Sequence, residues 1–271
     1  MITSSKNPLI KQIRRLRGSK RHREREGLFV VEGIQAVVAA VRSDVVVDAL
    51  IYAPALLESE IAAQAIEEAR QSGVRVEAVD DAIFVALSAR DNPMGIAALV
   101  ERRLAALDAM PRPRDALYVA LEGISDPGNL GTIIRTADAA GATGLLLVGD
   151  HVDPFHPSVV KASAGTLFTL RIASVASLDA LFAWTEAGSL PVLATSDRAA
   201  NSYWSHPYRL PMLVLMGAEG QGLSAAAMGR ATECVGIPMS GVADSLNLAI
   251  ATALLLYEVR RQQQERGEDG R

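Results

Sequence analysis

The sequence predicts an α/β protein of two domains, the second of which is built on a mostly parallel sheet. Short apolar runs that suit strands alternate with amphipathic stretches that suit helices, which is typical of a parallel sheet covered on both faces. At 271 residues the chain is longer than a typical single domain. Residues 103–115 (RLAALDAMPRPRD) are rich in arginine and proline and form the predicted linker between the domains.

The predicted elements follow from the periodicity of apolar residues. In the first domain, residues 1–102, a basic helix is followed by helices at 33–41, 61–71 and 80–89 and strands at 27–32, 49–52, 74–79 and 95–100. In the second domain, residues 116–264, we predict helices at 129–140, 157–164, 177–187 and 245–264 and strands at 117–121, 144–148, 191–195, 213–216 and 235–237. The last helix should have its apolar side at Leu246, Ile250, Ala253, Leu254 and Tyr257, and residues 265–271 should be a polar tail.

Positive charge is concentrated at the N-terminus, although the whole chain has a net charge of −4. Leu9, Ile13 and Leu16 recur at helical spacing, which predicts a helix docked through one face with its arginines turned outward. Such a basic surface suits the phosphate backbone of a nucleic acid. A helix that is simply solvated on its charged face is the alternative.

Several classes of protein are excluded by composition. Because its first residues lack an apolar stretch, we expect no signal peptide, and no apolar run in the sequence is long enough to span a membrane. Its one cysteine, Cys234, excludes an intramolecular disulfide and suits a structural thiol in a buried strand. The four histidines show no metal-ligand spacing, so we expect no metal site. The sequence therefore predicts a soluble, cytoplasmic protein.

Three segments of the second domain are candidates for a ligand site: the start of a predicted helix at 129–135 (NLGTIIR), a strand and glycine-rich turn at 213–222 (LVLMGAEGQG) and a loop at 237–247 (IPMSGVADSLN). In the second segment, three glycines after a strand allow a tight turn and close backbone approach to a ligand. In the third segment, a loop before the last helix leaves backbone N–H and C=O groups that can hold an adenine edge. We expect Asn129 to cap the helix of the first segment, and Asp244 or Ser245 to cap the last helix. Alone, the glycine segment is compatible with an ordinary strand-to-helix loop. Ser245 and Asn247 are compatible with simple helix caps, and Arg135 with a surface residue.

Together, in this order, the three segments resemble the three motifs of the SpoU family of RNA 2′-O-methyltransferases. The resemblance implies a SPOUT fold, a parallel α/β domain with a deep trefoil knot. It also implies S-adenosyl-methionine as the cofactor, bound in the knot, and a homodimer whose active site takes residues from both subunits. A further segment, 161–168 (KASAGTLF), also resembles the family and is expected near the active site.

The resemblance assigns roles to individual residues. The family's catalytic positions correspond to Asn129, Arg135, Glu219, Ser245 and Asn247. The cofactor-binding residues are predicted to be Gly217, Ile237 and Leu246, together with Met239 and Thr195. For the basic helix, the resemblance favours RNA contact through Lys11, Arg14, Arg17 and Arg21.

The first domain indicates which class of RNA the protein is expected to bind. Residues 29–37 (FVVEGIQAV) and 92–100 (NPMGIAALV) look like the substrate-binding domain often fused in front of SpoU catalytic domains, which resembles a ribosomal protein. The expected substrate is therefore ribosomal RNA. A transfer-RNA methyltransferase, a non-catalytic RNA-binding protein of the same fold and a small-molecule enzyme with a nucleotide cofactor are the alternatives.

Overall fold

We describe residues 1–88 and 90–267 from a computed structural model. Along the first 103 residues the elements are α1 (Pro8–Gly18), α2 (Lys20–Glu26), β1 (Leu28–Glu32), α3 (Ile34–Val41), β2 (Val47–Tyr52), α4 (Glu60–Gln71), β3 (Arg75–Ala78), α5 (Asp81–Leu87) and β4 (Ile96–Glu101). The remaining elements are β5 (Leu117–Glu122), α6 (Pro127–Ala139), β6 (Gly144–Val148), α7 (Pro157–Ser163), β7 (Ile172–Val175), α8 (Leu178–Ala187), β8 (Val192–Thr195), β9 (Asn201–Ser202), β10 (Met212–Met216), α9 (Ala225–Arg230), β11 (Glu233–Gly236) and α10 (Leu248–Glu265). Short 3-10 helices lie at Leu107–Ala109 and Thr166–Phe168. Residue 89 of the helix predicted at 80–89 and residues 268–271 of the predicted tail lie outside the described residues.

The chain forms two compact units, and the first of them is discontinuous. It comprises residues 1–103 together with 153–169, and the second comprises residues 104–152 and the chain from residue 170 onward. The change of unit after residue 103 lies one residue from the predicted end of the first domain. Residues 153–169, which we had placed in the second domain, instead pack with the first unit, because α7 lies against β1.

The first unit is built on a four-stranded sheet in the order β1-β4-β2-β3. The pairs β1–β4 and β2–β4 are antiparallel and the pair β2–β3 is parallel. Helix α1 packs on this sheet through Leu9, Ile13 and Leu16, all buried, so the predicted face of the basic helix is confirmed.

The basic segment forms two helices rather than the single one that we predicted. The backbone of Ser19 is extended (φ −146°, ψ 118°), which ends α1, and its hydroxyl accepts a hydrogen bond from the His22 N–H as the N-cap of α2. Helix α2 is held in place by Arg23, whose buried guanidinium lies 2.8 Å from the Asp153 carboxylate and donates to the Leu16 carbonyl at 2.8 Å. Because a buried charge needs a partner, this ion pair fixes where the basic segment lies within its unit.

The second unit is built on a seven-stranded sheet in the order β7-β6-β5-β10-β8-β11-β9, and every pair of neighbouring strands is parallel. The predicted parallel sheet is therefore confirmed. Elements β7, β9 and α9 were missed, because their sequences show too little periodicity of apolar residues. The trefoil knot implied by the resemblance stays a prediction.

Helix α10 has two apolar faces, of which we had predicted only one. Its buried side chains, which face the protein, are Leu248, Ala249, Thr252, Leu255, Leu256, Val259 and Gln263. Of the residues that we had assigned to the packed side, Ile250, Leu254 and Tyr257 are instead 52%, 37% and 54% exposed. The sequence pattern contains both stripes, and only the packing of α10 against α6 shows which stripe is buried.

No helix within residues 1–88 and 90–267 is both long enough and apolar enough to cross a membrane. Cys234 lies in β11, where it is half-buried, and burial raises the pKa of its thiol. A raised pKa disfavours the reactive thiolate, which agrees with a structural role for this cysteine.

Candidate active site

The three predicted motifs follow three strands of the parallel sheet. Strand β5 ends at Glu122 and is followed by α6, which contains the first motif; the second motif begins within β10 and continues past Met216; the third follows the end of β11 at Gly236. Because the carboxyl ends of parallel strands meet at one edge of a sheet, the segments that follow these three strands converge there. This edge is the usual place for a ligand in an open α/β sheet.

At the centre of this edge lies a hydrogen-bonded cluster of Asn129, Glu219 and Asn247. The Asn129 Nδ2 donates to Glu219 Oε1, and the Asn247 Nδ2 donates to Asn129 Oδ1 at 2.9 Å. These contacts link residues that are 90 and 118 positions apart in sequence. The structure thus brings together one predicted catalytic residue from each of the three motifs.

Asn129 is placed by the start of α6, although not as the N-cap that we predicted. The N-cap is Asp126, whose carboxylate accepts the Asn129 N–H at 2.6 Å, and Pro127 occupies the first helical position. Proline favours that position because its missing N–H has no partner to lose there. With its backbone N–H satisfied by Asp126, Asn129 directs its carboxamide to the cluster.

Asn247 caps α10, so the prediction that Asp244 or Ser245 would cap this helix is wrong. The Asn247 Oδ1 accepts hydrogen bonds from the backbone N–H groups of Ala249 (2.9 Å) and Ile250 (3.3 Å). Its Nδ2 remains free to reach Asn129. The helix cap and the cluster therefore share one side chain. Ser245 is exposed two residues earlier, in the loop before the cap.

Arg135 does not join the cluster within one chain. It lies six residues beyond Asn129 in α6, a step of about 9 Å along the helix axis and about 120° around it. Its side chain is exposed, and within the described residues it makes no hydrogen bond or ion pair. A cationic group at this position is available to a ligand or to another chain.

Gly217 is required by the tightness of the turn that follows β10. A Cβ added at this position would lie 2.1 Å from the Gly222 carbonyl carbon and 2.2 Å from the Leu223 nitrogen, so the backbone of the turn folds directly onto it. Gly220 and Gly222 have positive φ angles of 75° and 67°, a conformation that glycine adopts without strain. The predicted glycine turn is present and leads directly into Glu219.

Glu122 is a residue of this edge that the sequence analysis missed. Its Oε2 accepts the Ser224 N–H at 3.0 Å, and Ser224 in turn caps α9. The far end of the glycine turn is thereby tied to the end of β5. A carboxylate at the end of an otherwise buried apolar strand was the signal that could have identified it.

The loop between β11 and α10 provides unpaired backbone groups. None of the backbone hydrogen bonds found among the described residues outside helices and strands involves residues 238–246. Ile237 and Leu246, at the two ends of the loop, are half-buried, whereas Met239 is 36% exposed. Free N–H and C=O groups beside apolar side chains suit the edge and faces of an adenine ring.

Thr195, another predicted cofactor residue, is the last residue of β8. Its hydroxyl donates to the Leu215 carbonyl at 3.2 Å, which ties the end of β8 to β10. Thr195 thus lies at the carboxyl edge of the sheet, where its side chain stabilises the pairing of β8 with β10.

The predicted RNA-binding side chains in the first unit divide into two groups. Lys11, Arg14 and Arg21 are exposed, as predicted. Arg17 is not turned outward: its side chain is 14% exposed and forms an ion pair with Glu32. The prediction of a free Arg17 is wrong because its partner is supplied by β1, fifteen residues away.

Comparison with known proteins identifies the family. The profile of the SpoU rRNA Methylase family matches residues 116–257, and that of the MRM3-like substrate binding domain matches residues 7–98. The chain belongs to the SpoU family. Both matches fall within the two domains predicted from the sequence.

Two curated relatives and one solved structure match nearly the whole chain. An uncharacterized tRNA/rRNA methyltransferase of Synechocystis sp. is 34% identical over 97% of this chain and 94% of its own. The 23S rRNA (uridine(2479)-2′-O)-methyltransferase of Streptomyces viridochromogenes is 33% identical, covering 96% of this chain and 91% of its own. The AdoMet-bound rRNA methyltransferase of Sinorhizobium meliloti is 36% identical and superposes with a TM-score of 0.87 over 96% of this chain and 97% of its own.

The glycine turn makes a direct prediction for S-adenosyl-methionine. In Gly217→Ala, the new Cβ would collide with backbone rather than with a flexible side chain, so residues 218–223 must move. We expect the affinity for S-adenosyl-methionine, measured by titration calorimetry, to fall at least about tenfold, the loss expected from about 1.4 kcal/mol. In the control Gly229→Ala, the Cβ enters open space, and its affinity should equal that of the wild type. Equal affinities in both variants would exclude the turn from the cofactor site.

Proposed function

We propose that this protein uses S-adenosyl-methionine to methylate a ribose 2′-hydroxyl group of ribosomal RNA. The observation that carries the proposal is the Asn129–Glu219–Asn247 cluster, which joins all three SpoU motifs at the ligand-binding edge of the sheet. The glycine turn and the unpaired backbone of residues 238–246 fit the cofactor beside it. Relatives that are named as 23S rRNA 2′-O-methyltransferases support the substrate.

The residues of the cluster suit positioning better than proton transfer. When bound, the cofactor supplies an electrophilic methyl group, and the chain must align the 2′-oxygen with it. Asn129 and Asn247 offer amide donors and acceptors whose geometry is fixed by α6, α10 and Glu219. Ser245, in the adjacent loop, would add a hydroxyl that can orient the ribose. Because these groups are already held in place, little reorganisation is needed during the reaction.

Arg135 would stabilise charge. A guanidinium stays protonated in proteins, so it is a poor general base but a good partner for a phosphate and for an oxygen that gains negative charge. Its exposure and lack of an internal partner leave all of its donors available to RNA. We assign it to the phosphate beside the reacting ribose.

A second copy of the chain would complete the site. Ile250, Leu254 and Tyr257 form an exposed apolar stripe on α10, which begins at the Asn247 cap. Exposed apolar stripes of this kind are common in contacts between subunits, and a two-fold contact buries the same stripe on both chains. Arg135, which makes no hydrogen bond to the cluster of its own chain, would then serve the cluster of the other subunit.

One experiment distinguishes this function from two alternatives. A transfer-RNA enzyme would label transfer RNA rather than ribosomal RNA in a transfer assay with tritiated S-adenosyl-methionine, and a non-catalytic RNA-binding protein would label neither. Ribosomal RNA is favoured because a relative named as a 23S rRNA methyltransferase matches 96% of this chain, including most of the domain at residues 7–98. The cytoplasmic location that we predict suits an enzyme acting on this substrate.

Substitutions at Arg135 separate chemistry from binding. Arg135→Ala should fold and bind S-adenosyl-methionine normally, whereas single-turnover methylation at saturating RNA should fall about a hundredfold or more, the scale of losing one electrostatic stabiliser. Arg135→Lys keeps the charge but loses the planar fork, so it should recover only part of the rate. An Arg135→Ala rate within about threefold of the wild type would remove this residue from the reaction.

Mixed dimers show which chain supplies Arg135. One subunit carries Arg135→Ala and the other Asn129→Ala, and the heterodimer is purified through two different tags. If the arginine acts on the other subunit's cluster, one of the two sites is intact and about half of the wild-type rate per dimer returns. If both residues act within one chain, both sites stay defective and the heterodimer is as inactive as either homodimer.

The exposed basic residues predict a defined dependence on salt. Changing Lys11, Arg14 and Arg21 together to Ala should weaken RNA binding and reduce the slope of log affinity against log salt concentration by about 2 to 3. The matched control changes Arg42, Arg70 and Arg75 to Ala, three exposed arginines of the same unit that are already paired with glutamates. Equal slopes for the two triple variants would show that α1 and α2 do not contact RNA phosphates.

A further inference from the structure

A cavity of about 130 Å³ lies in the first unit beside the edge strand β1. Its polar lining residues come from four segments, namely the end of α1, the end of β1, the chain after α5 and the start of α7: Arg17, Glu32, Arg90, Ser158 and Lys161. A volume of this size holds several water molecules and therefore accommodates a tetrahedral oxyanion. The cavity is outside the cluster at the edge of the second unit and takes no part in the chemistry proposed above.

Positive charge predominates in this lining. The Glu32 carboxylate is buried and forms an ion pair with Arg17, and it also accepts a hydrogen bond from the Ser88 hydroxyl. Its charge is thereby balanced by Arg17. Neither Arg90 nor Lys161 forms an ion pair within the described residues, so the cavity has two uncompensated cations.

The Arg90 guanidinium is held in a fixed position. Its Nη2 donates to the Glu32 carbonyl at 3.1 Å, and its backbone N–H donates to the Ser88 hydroxyl at 2.9 Å. The guanidinium lies against Gly33, where a Cβ would be 2.9 Å from Nη2. Gly33 also has a φ of 102°, so any larger residue would both strain the backbone and displace the guanidinium.

Further donors lie in the same wall. The Arg17 Nη1 is buried and has no hydrogen-bond acceptor among the described residues, although its Nη2 is paired with Glu32. A buried donor without a partner costs free energy, which an anion in the cavity would relieve. The Ser158 hydroxyl adds a neutral donor at the rim.

We propose that this cavity binds a phosphate group. Two free cations, a hydroxyl and a spare guanidinium donor match the oxygens of a phosphate better than they match a neutral ligand. The group can come from the RNA backbone, in which case the site rests on the proposed function and anchors the substrate away from the reacting ribose. It can also be free inorganic phosphate. In either case, Lys161 of the KASAGTLF segment has a role in binding phosphate, separate from methyl transfer.

The first arm of the test measures RNA. Lys161→Ala removes an exposed cation without disturbing the core, and Arg75→Ala is the control, with the same charge change on β3 at the opposite edge of the same sheet. If an RNA phosphate occupies the cavity, Lys161→Ala should weaken binding of a ribosomal RNA transcript and lower the salt slope by about 1, and Arg90→Ala should do the same. Lys161→Arg, which keeps the charge, should retain the slope.

The second arm tests whether inorganic phosphate binds in the cavity. We measure the rate at which an amine-reactive reagent modifies Lys161 in the full chain, with and without inorganic phosphate. The modification rates of Lys6 and Lys20 serve as internal standards. Protection of Lys161 alone by inorganic phosphate, with an unchanged RNA slope, assigns the cavity to the free ion. A reduced RNA slope, with or without protection, assigns it to the RNA backbone. Unchanged slopes and no protection overturn the proposal. Both measurements are of binding, so an inactive wild-type enzyme would refute the proposed function without deciding this result.

Discussion

One carboxamide connects the parts of the candidate active site. Asn129 donates to Glu219 and accepts from Asn247, so the segments after β5, β10 and β11 are joined through a single side chain. An amide can do this because it carries a donor and an acceptor on one planar group. A carboxylate at this position would repel Glu219, and a hydroxyl would be too short to span both partners. The relative positions of the glycine turn, the α10 cap and the start of α6 all depend on this bridge.

The elements of the fold were predictable where a residue's neighbours in sequence decide its structure. Apolar runs predicted most strands of both sheets, and the spacing of Leu9, Ile13 and Leu16 predicted the buried face of α1. Helix caps were less certain, because Asp126 and Asn129 are both good caps three residues apart, as are Asp244, Ser245 and Asn247. The proline at position 127 was the local signal for Asp126, and it was overlooked.

Contacts between distant residues could not be predicted in the same way. Helical periodicity predicted Arg17 on the outer face of a basic helix, and only the fold shows that it forms an ion pair with Glu32 of β1. The same holds for α10, whose two apolar stripes look alike until α6 covers one of them. The motifs identified which residues form the candidate site, but hydrogen bonds across 90 or more residues determine how they are arranged.

The discontinuity of the first unit has a consequence for how such proteins are rearranged in evolution. Asp153, the partner of the buried Arg23, and α7, which lies against β1, both come from a segment encoded fifty residues after the rest of that unit. A gene fusion that transferred only residues 1–103 would carry a buried arginine without its carboxylate and an edge strand without its cover. Residues 153–169 lie within the match to the SpoU rRNA Methylase family, so the substrate-binding domain packs with a segment of the methylase sequence and the two must stay compatible. Changes in residues 1–103 and in residues 153–169 are thus constrained by the same packing, so the two segments are expected to evolve together.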